Sequence, residues 1–122
     1  MRYHINESEY RFMEILWKEE PTASMELVRI CEAKLGWKKS TTFTVLRGLC
    51  KKKIVCNENA VVRALVSKEC IQKQESHDFL EKKFGGSLPS FITAYLQDKK
   101  LTKEDAEKIK KMIQDASEKD DP

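Results

Sequence analysis

The sequence predicts a mainly α-helical chain with one small β-hairpin: a winged helix-turn-helix followed by a helical dimerisation segment. Three observations predict it. Apolar residues recur at helical spacing in successive stretches separated by Pro, Gly and polar turns. Two β-rich runs follow directly on the third helical stretch. That stretch lies in the most basic window of the chain, Lys34 to Lys53, where Lys34, Lys38, Lys39, Arg47, Lys51, Lys52 and Lys53 stand without a single Asp or Glu.

The first helix is expected at about 7–19, because Asn6 followed by Glu9 forms the pattern of a capping box. Tyr10, Met13, Leu16 and Trp17 share one face, and Phe12 and Ile15 form a second. Apolar residues on two sides predict a central helix packed by different elements on each. Pro21-Thr22 breaks the chain and starts a second helix at about 23–35, which Gly36 ends. Leu27, Ile30 and Cys31, with Val28 at the edge, supply its buried stripe.

The third helix covers about 39–52. A turn of roughly 100° per residue puts Thr42, Val45, Leu46 and Leu49 on one side and Ser40, Thr44, Arg47 and Lys51 on the other. Thr41 and Gly48 flank the second face, and Phe43 falls at the border, where packing is expected. An apolar back with a hydroxyl-and-cation front suits a helix lying in a DNA major groove. The strands are expected at Ile54-Val55-Cys56 and Val61–Val66, joined through Asn57-Glu58-Asn59. The wing tip, about Asn57–Ala60, carries little positive charge, so its contribution to binding is expected to be secondary.

From Ser67 the composition changes, and the expected division is 1–67 for a winged-helix DNA-binding domain and 68–122 for a helical dimerisation domain. A polar helix at about 68–83 has few apolar residues (Ile71, Phe79, Leu80) and stops at Phe84-Gly85-Gly86. Ser87 caps the next, with Leu88, Phe91, Ile92, Tyr95 and Leu96 in helical register. Thr102 with Asp105 forms a variant capping box for a last helix bearing Ala106, Ile109, Met112, Ile113 and Ala116. Three thin helices cannot bury such stripes alone, and pairing with a second chain solves that. The end from Glu118 to Pro122 is expected to fray.

Charge is unevenly placed. The chain is +3, so the Lys34–Lys53 window is offset by everything around it, and localised positive charge points to a polyanion. Lys51-Lys52-Lys53 alone would fit a solvated helix end; the four cations upstream favour nucleic acid. No stretch approaches the roughly 18 apolar residues of a membrane span. The N-terminus has no apolar middle region of a secretory signal, so a soluble, cytoplasmic protein is expected. Cys31, Cys50, Cys56 and Cys70 each suit small buried positions in a reducing compartment. They lack C-x-C or C-x-x-C spacing, so no metal and no cofactor is expected. His4 and His77 lack partners for base catalysis, and Gly85-Gly86 is not followed by G-K-[ST]. The chain is not expected to be an enzyme.

The sequence resembles a known family over about residues 5–115. The likeness rests on I-N-E-S-E-Y-R-F-M-E-I-L-W in the first helix, W-K-K-S-T-T-F-T-V-L-R-G-L-C-K-K-K-I-V in the third helix and first strand, and F-G-G-S-L near the C-terminus. Trp37, Thr41, Thr44 and Leu49 match a W-x-x-x-T-[VI]-x-T-x-L-x-R-L pattern. The family is that of the penicillinase and methicillin-resistance repressors with their copper-responsive relatives (BlaI/MecI/CopY). The resemblance implies a cytoplasmic, dimeric repressor on dyad-symmetric operator DNA, inactivated by a protease or signalling partner. It implies that Thr41 and Thr44 read or position, that Lys51 and Lys52 contact phosphates, and that the Phe84–Leu96 segment with the last helix forms the dimer. Three departures stand out: Gly48, with Arg47 one step earlier, where the family has Arg; Lys53 where it has Gly; and Ala94-Tyr95 where resistance members have their Asn-Phe cleavage bond.

The expected function is therefore a homodimeric transcriptional repressor reading operator DNA through the third helix and wing. Ser40, Thr41, Thr44 and Arg47 are assigned to base edges, and Lys38, Lys39, Lys51, Lys52 and Lys53 to phosphates. Phe84, Leu88, Phe91, Ile92, Tyr95, Leu96, Ile109, Met112 and Ile113 are assigned to the dimer interface. The alternatives are a winged-helix module docking on an acidic protein surface, or a metal- or redox-responsive regulator using its cysteines.

Overall fold

A computed structural model of the chain describes residues 2–118. Helix α1 (Glu7–Glu19) starts at the expected capping box: the Glu9 amide donates to Asn6 Oδ1 at 2.8 Å and the Asn6 amide donates to Glu9 Oε1 at 2.9 Å. Phe12, Met13, Ile15 and Leu16 are all buried, so both apolar faces are covered, as a central helix requires. A cis Glu20-Pro21 peptide leads into a two-residue strand, β1 (Thr22–Ala23), and then α2 (Ser24–Leu35). Helix α2 buries the expected Leu27, Val28, Ile30 and Cys31.

Helix α3 (Lys39–Lys51) buries Thr42, Leu46 and Leu49 and is followed by β2 (Val55–Glu58) and β3 (Val61–Ala64). The sheet is antiparallel in the order β1-β3-β2. Its hairpin is tighter than expected: Glu58 pairs with Val61, so the loop is only Asn59-Ala60 rather than Asn57-Glu58-Asn59. Strand β1 is an addition to the expected hairpin. Two residues are too short to show a period, and Thr22 and Ala23 owe their extended form to Val62 and Val61 far along the chain.

Side chains close the remaining gaps around the sheet. Where β1 runs out, the Ala64 amide donates to Glu20 Oε1 at 2.8 Å. The Trp17 indole donates to the Val66 carbonyl at 3.0 Å. One hydrophobic core joins α1, α2, α3 and the sheet, and Ile71 of α4 (Lys68–Phe84) enters it at 1% exposure. The first compact unit accordingly extends to Asp78, and a second runs from Phe79 onward. The composition change at Ser67 precedes that division because the first turns of α4 look polar but are pinned by Ile71.

The second unit contains the end of α4, α5 (Leu88–Leu96) and α6 (Lys103–Glu118). Gly85 and Gly86, with φ of 57° and 81°, make a turn that other residues would strain. Ser87 and Thr102 cap the two helices by accepting from the Ser90 and Asp105 amides. Phe79, Phe84, Phe91 and Tyr95 form a chain of aromatic contacts with centroids 5.5–6.2 Å apart. Glu118 is the last helical residue; the rest of the expected frayed end lies outside the described residues. Among the described residues no helix is long and apolar enough to cross a membrane.

Candidate nucleic-acid interface

Helix α3 has the two faces its sequence requires. Thr42, Leu46 and Leu49 are buried, and Phe43 and Val45 pack against the core. Ser40, Thr41, Thr44, Arg47 and Lys51 are exposed. From Ser40 to Lys51 the rise of 1.5 Å per residue gives a stripe of about 16 Å, roughly the length of five base-pair steps. Thr44 Oγ1 donates to the Ser40 carbonyl at 2.9 Å. Its hydroxyl hydrogen is thereby used, leaving a methyl group and an accepting oxygen for a partner.

The start of α3 is built for charge rather than for stability. Lys38 is the N-cap residue, makes no side-chain cap and is followed by Lys39, with no acidic residue in the first turn. Cations at a helix N-terminus oppose the helix dipole, whereas a bound anion would complement it. Among the described residues Lys38, Lys39, Arg47, Lys51 and Lys53 form no ion pair, and their charge faces solvent uncancelled.

Lys52, expected to contact a phosphate, lies against α1 and the residues before it. Its Nζ donates to Glu9 Oε1 at 2.6 Å and to the His4 carbonyl at 2.8 Å. One residue beyond Lys51, it has turned away from the front face onto α1. The signal was present in the sequence only as an acidic capping-box residue with no visible partner beyond its own helix.

Lys53 is exposed and sits at φ 62°, directly after the α3 cap. Its amide donates to the Cys50 carbonyl and the Ile54 amide to that of Leu49, at 3.0 and 3.1 Å. This is the paired bonding of a Schellman end, with Ile54 and Leu49 both in the core. At the wing tip Asn59 and Ala60 have φ of 53° and 64°, the type I′ hairpin conformation. The Ala60 carbonyl accepts from the Ser24 amide at 2.8 Å, so the wing supplies a partner for the start of α2.

Cys31 is buried and Cys50 and Cys56 are half-buried, whereas Cys70, expected at a small buried position, is exposed on α4. Burial pushes the Cys31 thiol up; Cys50 is raised first by burial and then by nearby Cys56. Cys56 is raised by desolvation and then by Glu58, to whose Oε1 it donates at 3.4 Å. Raised thiols are poor nucleophiles and poor metal ligands near neutral pH. Among the described residues no cluster of His, Cys, Asp and Glu could hold a metal ion.

The residues assigned to a dimer lie mostly uncovered. No residue of α5 is buried. Leu88, Ile92, Tyr95 and Leu96 are exposed, as are Met112 and Ile113 of α6, the latter two at 66% and 58%. Phe84, Phe91 and Ile109 are half-buried.

The model of the Penicillinase repressor family matches residues 5–115, nearly the whole chain. The chain belongs to the penicillinase repressor family. The methicillin resistance regulatory protein MecI of Staphylococcus aureus is 21% identical over 115 residues, covering 91% of this chain and 94% of its own. The penicillinase repressor of Bacillus licheniformis is 23% identical over 116 residues, covering 91% and 90%. A solved structure of a Lactococcus lactis ZitR mutant covers 98% of the chain and 77% of its own, at 14% identity and a TM-score of 0.43. Penicillinase repressor membership makes the chain a transcriptional repressor rather than an enzyme.

Proposed function

We propose that this repressor acts as a homodimer on a dyad-symmetric operator, with α3 in the major groove and the wing alongside the backbone. The observation that carries the reading is the exposed front of α3, where Ser40, Thr41, Thr44 and Arg47 are flanked by Lys38, Lys39, Lys51 and Lys53 without a paired carboxylate. Arg47 suits a guanine edge and the threonine methyls suit thymine. The flanking lysines suit phosphates on either side of the groove.

Dimerisation rests on the second unit. Its exposed Leu88, Ile92, Tyr95, Leu96, Met112 and Ile113 are apolar stripes on thin helices, which water solvates poorly. Pairing with the same stripes of a second copy covers them. A two-fold pair of copies also matches a dyad-symmetric operator, whose major-groove half-sites lie about 34–36 Å apart. Selection of bound duplexes from a random DNA pool tests the proposal. Enrichment of an inverted repeat with half-sites about one helical turn apart is expected, whereas recovery of no common sequence contradicts it.

A further inference from the structure

We infer that Lys52 is a positioning residue of the DNA-reading helix, acting through Glu9, and that it neutralises no phosphate. The inference rests on the reading of α3 as the element that enters the groove. The Glu9 side chain is 7% exposed against 38% for Lys52, so the carboxylate is the buried partner. Oε1 of Glu9 accepts from both the Asn6 amide and Lys52 Nζ. The same ammonium donates to the His4 carbonyl, so two of its three donors are committed to α1 and the chain leading into it.

Gly48, one turn earlier on α3, faces the other oxygen of this carboxylate. A Cβ added there would lie 3.5 Å from Glu9 Oε2. The last two turns of α3 therefore meet the start of α1 around one buried carboxylate. Moving Lys52 to a phosphate would leave Glu9 with the Asn6 amide alone, a costly arrangement for a buried charge. The clamp instead fixes the rotation of α3 about its own axis. That rotation sets where Arg47 and Lys51 point.

The test uses the full-length chain with Lys52→Met, Glu9→Gln, Lys52→Arg and Lys51→Ala variants. Each is titrated by fluorescence anisotropy over a salt series against a duplex selected from the random pool and a scrambled duplex. Lys52→Met is expected to keep the wild-type salt slope and scrambled-duplex affinity, and to lose roughly tenfold on the selected duplex. Glu9→Gln should give the same pattern, and Lys52→Arg should restore the preference. Lys51→Ala should lower the slope by about one. A Lys52→Met variant that lowers the slope by about one and weakens both duplexes alike is a lost phosphate contact, and overturns the inference. Wild-type protein that binds neither duplex at low salt instead overturns the DNA-reading role of α3 itself. Thermal melting separates these cases from a structural failure. Midpoint shifts of Glu9→Gln and Lys52→Met that simply add in the double variant would show that no clamp exists.

Discussion

Two residues carry backbone conformations that their side chains disfavour. Lys53 and Ala60 sit at φ 62° and 64°, a region that costs an L-residue roughly 1–2 kcal/mol and glycine almost nothing. At Lys53 the strain ends α3 and turns Ile54 into the core; at Ala60 it closes a two-residue hairpin where glycine is preferred. Lys53→Gly and Ala60→Gly should each stabilise the fold by about 0.5–1 kcal/mol, raising the thermal midpoint by a few degrees. Differential scanning calorimetry checks this, and unchanged or lower midpoints would refute it. The sequence made Lys53 visible only as a missing glycine. It could not show Ala60, because alanine carries no turn signal and the loop length depends on a strand register.

At the level of elements, the pattern of α1 and α3 was legible because its causes are local. Asn6 and Glu9 form their capping box three residues apart, and the two faces of α3 follow from helical period alone. What stayed hidden is non-local: β1 exists through its pairing with β3, and Lys52 turns to Glu9 across a separation of 43 residues. The uncapped start of α3 carries its own test. An acidic N-cap would bond the first amides and suit the helix dipole, so Lys38→Asp should stabilise the domain by about 1 kcal/mol. The same change places a carboxylate beside the proposed phosphate contacts, so DNA affinity should fall at every salt concentration. A variant that is more stable and binds DNA as well as wild type would remove Lys38 from the interface.

For the molecule as a whole, the proposed division into a DNA-binding and a dimerising part depends on apolar stripes that the described residues leave exposed. Sequence periodicity located them correctly on α5 and α6, although it could not show that even Phe91 remains half-buried within its aromatic cluster. Sedimentation at micromolar concentration should give a dimer, and Met112→Asp with Ile113→Asp should give a folded monomer, since both side chains face solvent within one chain. A wild-type monomer would sink the dimer assignment. The most direct measurement concerns α3. Arg47→Ala should weaken binding to the selected duplex by about 1–3 kcal/mol and relax preference at one base position per half-site, with little effect on a scrambled duplex. Equal loss on both duplexes would show that Arg47 grips the backbone and that the front of α3 does not read sequence through it.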